Sequence, residues 1–281
     1  MIKSILVCTD GSSHGENATR YGIYFARRLK AGLSALHVLD SRMLEGPMMA
    51  NVAGWIGAEP FSDPLTHFRA IMQEKGDAIM TAFKDTCEKE GITEVNAKVK
   101  WGHPAKVILQ EEVQAEMTIL GQDGEHDEIT GEWTGSTVDR VVRHSVKPCL
   151  VVPETFAPVE KIMIAYDGSP HASRALHEAI ELALELSSPL IICTVVEGGD
   201  HNRAMAQADT AMRLARAHEC AAAYLIVEGK AAEVIMEKAR ELNCGLLVAG
   251  AHGHSRIRDM IIGGTATHLL NHSTLPLLLV R

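Results

Sequence analysis

Ile5-Leu6-Val7-Cys8-Thr9-Asp10-Gly11-Ser12-Ser13-His14 returns later in the chain as Ile162-Met163-Ile164-Ala165-Tyr166-Asp167-Gly168-Ser169-Pro170-His171, an offset of 157 residues. A second pair of copies closes each half. Gly135-Ser136-Thr137 with His144-Ser145 and Pro148 returns as Gly263-Gly264-Thr265 with His272-Ser273 and Pro276, at an offset of 128. The same order at both ends of each half is the mark of an internal duplication. It divides the 281 residues into two domains, 1–155 and 156–281, joined near Pro153–Pro158. The offsets differ by 29 residues, so the first half carries an insertion. The Gly/Pro/Met-rich stretch 41–65, without clear period, is its expected place, and a surface loop its expected form.

Between the repeated ends, each half alternates apolar runs with stretches of helical spacing. In the second half, Lys161–Tyr166, Leu190–Val196, Ala222–Glu228, Leu246–Ala249 and Leu277–Val280 read as strands. Helices are expected over Ser169–Leu186, His201–Cys220 and Ala231–Leu242, and around Thr265–Asn271. In the first half, Ile5–Val7, Ala35–Leu39, Glu94–Val99, Met117–Leu120 and Cys149–Val152 are the matching strands. Near-continuous apolar strands separated by helices call for a parallel sheet covered on both faces. The expected fold class is α/β: two tandem doubly wound, Rossmann-like domains, each a five-stranded parallel sheet flanked by helices.

Composition excludes several function classes. With 46% apolar and 22% charged residues the chain is an ordinary globular one, and with 4% aromatics its core must be aliphatic. A net charge of −9 argues against a nucleic-acid face or a basic membrane-binding surface. No apolar run has membrane-spanning length. The six scattered cysteines form no C-x-x-C pair and read as reduced, buried thiols, so a cytoplasmic protein is expected.

In doubly wound sheets, ligands bind beyond the carboxyl ends of the strands where the strand order reverses. There the second half carries Gly250-Ala251-His252-Gly253, nine residues, then Gly263-Gly264-Thr265. Glycines permit close backbone approach, and amides opening a helix can cradle an anion. Thr265 is placed to cap that helix or to touch a phosphate oxygen. Between Gly250 and Gly263, Arg256, Arg258 and two histidines face one carboxylate, Asp259, a balance suited to a polyphosphate.

The whole chain resembles a tandem member of the universal stress protein family, with two UspA-type domains. ATP-binding members of that family carry G-x2-G-x9-G-[ST] at this place. The second half matches it at Gly250, Gly253 and Gly263 and departs at Gly264, with Thr265 one position late. The resemblance implies an ATP site, with or without magnesium, in the second domain. Asp167 would face the ribose, and Ala165 and Val195 would line the adenine slot. Ala249, Gly250, His252, Gly253, Gly263, Gly264 and Thr265 would hold phosphates and ribose. It also implies an intrachain pseudo-dimer across the final strands and allows a homodimer.

The first half differs. Gly121-Gln122-Asp123-Gly124 is followed by ten residues before Gly135-Ser136, one too many. The segment holds Asp123, Glu125, Asp127, Glu128 and Glu132 and no Lys or Arg, which opposes a polyphosphate. A degenerate nucleotide site is therefore expected around Asp10, Val38, Gly121, Gly124, Gly135, Ser136 and Thr137. No metal site is expected: the acidic loop lacks EF-hand spacing, and His252-x-His254 lacks further zinc ligands.

No catalytic group stands out. Ser12 and Ser169 in the Asp-Gly-Ser turns read as helix caps rather than nucleophiles. With no general base poised for attack on a phosphate, any ATP hydrolysis should be slow. The expected function is a cytoplasmic, ATP-binding stress protein acting as a nucleotide-responsive binding module. The alternative is a nucleotide-independent interaction protein that binds a partner or a small apolar ligand. An adenine-nucleotide hydrolase is disfavoured because the S-G-G-x-D-S type loop is missing after the first strand.

Overall fold

The computed structural model describes residues 2–44, 64–123, 136–251 and 262–281. The first half contributes strands β1 (Ser4–Cys8), β2 (Gly32–Asp40), β3 (Val95–Gly102), β4 (Met117–Gly121) and β5 (Cys149–Val152). The second contributes β6 (Ile162–Ala165), β7 (Leu190–Val196), β8 (Ala222–Glu228), β9 (Leu246–Gly250) and β10 (Leu277–Val280). All ten lie in one sheet, in the order β3-β2-β1-β4-β5-β10-β9-β6-β7-β8. Every pairing is parallel except β5 with β10. These run antiparallel, with Leu277 opposite Val151, Leu278 opposite Leu150 and Leu279 opposite Cys149. The five strands expected in each half are present, and the two sheets join through their final strands, β5 and β10, where the resemblance placed the intrachain pseudo-dimer.

Two apolar layers explain the all-hydrophobic strands. One face of the sheet is covered by α1 (Ser13–Leu29), α2 (Pro64–Lys89), α5 (Pro170–Leu186) and α6 (His201–Ala217). The other is covered by α3 (Pro104–Glu111), α4 (Ser136–His144), α7 (Ala231–Glu241) and α8 (Gly264–His272). Alternate residues of a strand point to opposite faces. Thus Ile162 and Ile164 pack under the first set while Met163 packs under the second, all three fully buried.

Helix starts are set locally. Ser12 and Ser169 accept from the amides of Gly15 and Ala172 at 3.2 and 3.1 Å, so both serines are caps as expected. Helix α2 differs from the expected loop in the insertion. It runs 26 residues against 17 in its counterpart α6, so nine residues of the excess are helical. Residues 41–44 form one 3-10 turn; the remainder of the expected loop, 45–63, lies outside the described residues. All six cysteines are buried and unpaired. Among the described residues, no helix is long and apolar enough to cross a membrane.

The link between the halves is held by an aromatic group on α1. The Tyr21 hydroxyl accepts from the Ala157 amide and donates to its carbonyl, and Tyr24 does the same for Val159. Phe156 packs on both rings, with centroids 4.7 and 5.8 Å away.

Candidate functional site

Chain order leaves β1 in the middle of the first half, with β2 on one side and β4 on the other. β6 sits likewise between β7 and β9. The helices following these strands diverge to opposite faces at their carboxyl ends, which opens a cleft in each half.

The second-half cleft has a volume of about 310 Å³. Its floor is the ends of β6 and β7, Ala165, Cys193 and Val195; Ala231 and Ile235 of α7 form one wall. Asp167 stands at the rim after β6, its carboxylate accepting from the Ser169 amide at 2.9 Å and its carbonyl accepting from Gln207 at 2.6 Å. The far end is made by Ala249 and Gly250 of β9 and by Gly263, Gly264 and Thr265 at the start of α8. Eight of the ten residues picked out in this half therefore meet in one cavity. The other two, His252 and Gly253, lie outside the described residues, as do Arg256 and Arg258.

Two backbone details shape the far end. At Gly250 a Cβ would sit 2.9 Å from the Ala172 amide nitrogen, so β9 approaches the start of α5 as closely as only glycine allows. At Gly264 a Cβ would meet nothing within 4 Å among the described residues. Gly263 is the N-cap residue, and no side chain among the described residues caps this helix. Thr265 thus lies inside the first turn, which removes the capping role expected for it. The Gly263 amide is engaged by the Ala251 carbonyl at 3.0 Å. Helix geometry leaves the amides of Gly264, Thr265 and Ala266 without intrahelical acceptors, directed out of the positive end of the dipole. The donors on offer begin one residue later than the glycine pattern suggested.

The first-half cleft is smaller, about 180 Å³. Asp10, Val38, Gly121 and Thr137 line it. Ser136 opens α4 beside it, while Gly124 and Gly135 lie outside the described residues. The Asp10 carboxylate accepts from the amide and hydroxyl of Ser12 at 3.0 and 2.6 Å. Of the acidic loop, Asp123 alone is described: it is half exposed, 3.8 Å from His14 Nε2. Residues 124–135 lie outside the described residues. The roof of this cleft, Met72 and Lys75 of α2 with Arg42 and Met43 of the 3-10 turn, carries no motif in the sequence. Arg42 is held by a bidentate contact with Asp40, its Nε 2.9 Å from both carboxylate oxygens.

No thiol here is activated. Burial pushes Cys193 up to about 12 and Cys8 still further. Among the described residues, no three His, Cys, Asp or Glu side chains are grouped to hold a metal ion.

The universal stress protein family model matches residues 1–153 and again 158–281. The chain belongs to the universal stress protein family. The universal stress protein Slr1230 of Synechocystis sp. is 29% identical over 287 residues, with all of both chains covered. Among solved structures, a universal stress protein from Archaeoglobus fulgidus matches at a TM-score of 0.77 with 20% identity, covering 99% of this chain and 98% of its own. A functionally unknown protein from Pseudomonas aeruginosa PAO1 matches at 0.64 with 18% identity, covering 99% and 92%. These likenesses establish the tandem fold of this universal stress protein.

Proposed function

We propose that this universal stress protein is a cytoplasmic, nucleotide-responsive binding module that takes ATP in its second domain, residues 156–281. The observation that carries the reading is the first turn of α8 at one end of the Ala165–Val195 cleft, uncapped by any side chain among the described residues, which also leave a Cβ at Gly264 clear within 4 Å. Such a terminus offers amides and a positive dipole end to phosphate oxygens. The small side chains of the floor leave room for a flat base, and the Asp167 carboxylate is an acceptor for sugar hydroxyls at the rim. Magnesium, if present, would ride on the phosphates. The first domain, residues 1–155, is the poorer phosphate site in this reading, because Asp123 stands where the second-half motif has His252.

The protein supplies binding rather than hydrolysis in this reading. Among the described residues, the carboxylate at the second cleft is Asp167, at the sugar end and not beside the open amides. The test is calorimetric titration with ATP of the intact protein and of Val195→Phe, which fills the cleft floor. One site is expected in the intact protein and none in the variant. Absence of binding to the intact protein overturns the proposal.

A further inference from the structure

The duplication allows the two clefts to be compared position by position, and four replacements at the floor and walls run the same way, while Thr9 for Tyr166 and Gly15 for Ala172 go the other way. Leu36 pairs with Cys8 as Cys193 pairs with Ala165, so Leu36 occupies the place of Cys193. By the same register Leu120 stands for Ala249. Pro104 opens α3 where Ala231 opens α7, and Val138 follows Ser136-Thr137 where Ala266 follows Gly264-Thr265. Each of these four replacements puts a bulkier apolar side chain into the first cleft. Met43 and Met72 then roof it, an addition with no counterpart in the lining of the second cleft.

This pattern is more than a decayed nucleotide site. A cleft that had merely lost its ligand would be free to fill, yet about 180 Å³ remains between the strand ends and the α2 roof. Cavities of about 150 Å³ lined by aliphatic side chains stay dry and accept a benzene-sized guest. Methionine suits such a site because its unbranched, polarisable side chain adapts to the guest it covers. At the rim, Asp10, Asp40 and Asp123 outnumber Arg42 and Lys75, and Asp40 already engages Arg42. An anionic guest is disfavoured there.

We infer that the first-half cleft is a second ligand site, specific for a small, uncharged, mainly apolar molecule of one or two fused rings. The site rests on the cavity and its lining alone, so it stands whether or not the second cleft takes ATP. Entry would slide the ring between Leu36, Val38 and Ile108 beneath Met72, with any polar substituent toward Thr137 at the rim.

The test uses 2-naphthol, an aromatic probe uncharged at neutral pH, titrated into the full-length protein and followed by its fluorescence. One equivalent is expected to bind. Val38→Phe, which fills the floor, should weaken binding about tenfold or more, while Val195→Phe in the other cleft should change it less than about twofold. Met72→Gln, a change on the half-buried face of α2 that spares the sheet, should weaken binding about threefold and guards against a folding defect in Val38→Phe. ATP should not displace the probe. Binding indifferent to both Val38→Phe and Met72→Gln, binding lost in Val195→Phe, or displacement by ATP would each overturn the inference. ATP affinity measured separately on the same variants reports on the second cleft independently.

Discussion

A single side-chain oxygen, the hydroxyl of Tyr21, satisfies both backbone groups of Ala157, accepting from its amide at 3.0 Å and donating to its carbonyl at 3.1 Å. The link between the halves is thereby held against α1 of the first half before it enters β6 of the second. Phenylalanine at position 21 would keep the ring contacts with Phe25 and Phe156 and remove both bonds. Tyr21→Phe is expected to lower stability by about 1 kcal/mol in urea unfolding, because two hydrogen bonds are lost, while the groups of the exposed Ala157 can turn to water.

Gly264 allows electrostatics to be separated from shape. Since a Cβ there meets nothing within 4 Å among the described residues, Gly264→Asp introduces a carboxylate without a clash against any of them. An acidic group in the first turn favours the helix by about 0.3–1 kcal/mol. The thermal midpoint should therefore hold or rise, while ATP affinity measured by calorimetry falls about tenfold or more from charge repulsion. A fall in both together would speak against phosphate at this terminus.

Glu112 is a buried carboxyl that accepts from the Ser145 hydroxyl at 2.6 Å and the Val146 amide at 3.3 Å. Burial raises its pKa, and those two bonds only partly offset the rise. A carboxyl whose pKa is raised on folding favours the folded state while protonated. Its ionisation costs stability, a cost absent below the unfolded-state pKa and complete once pH exceeds the folded value. Glu112→Gln should thus raise the melting temperature at pH 7 by about 2 °C, with the gain vanishing toward pH 4 in a pH series of thermal melts.

The cysteines offer a check on the core. All six are buried, and burial raises Cys149 to about 12 and Cys87 and Cys244 to about 11. Ellman's reagent at pH 8 should find no reactive thiol in the native protein and all six after unfolding in guanidinium.

Leu278 faces Leu150 across the β5–β10 pair, and both are fully buried. Leu278→Ala should cost about 2–5 kcal/mol. Since the sheet is continuous, amide exchange should accelerate at Cys149–Val152 as well as at Leu246–Gly250. Acceleration confined to the second half would show that the halves open separately.

Strands buried on both faces were the most legible elements. Leu190–Val196, Cys149–Val152 and Leu277–Val280 are found with their expected bounds, because their side chains are almost all apolar and buried; Ala222–Glu228 is found with its bounds too, although as the edge strand β8 it has no fully buried residue. The edge strand β3 was expected over Glu94–Val99 and runs Val95–Gly102 instead. Its Lys98 and Lys100 break the apolar pattern, and both reach Glu111 at the sheet rim. Helix α2 was hidden by its neighbour: the Gly/Pro/Met run beside it gives no period, and its partly exposed roof residues, Met72 and Lys75, resemble ordinary surface positions. The join of β5 to β10 has no local signature either, since two short aliphatic strands can pair in either direction. At the second cleft the glycine spacing located the helix start, but which amides stay open depended on the Gly263 bond to Ala251, a contact between segments that spacing cannot report.

The β5–β10 seam has an evolutionary consequence. Two identical subunits paired through such strands carry every substitution twice, so neither can drift without the other. Fusion into one polypeptide removes that constraint and also makes the pairing independent of concentration. Leu120 and Ala249, set at the same register place in the two halves, are a difference that no homodimer of a single sequence could hold.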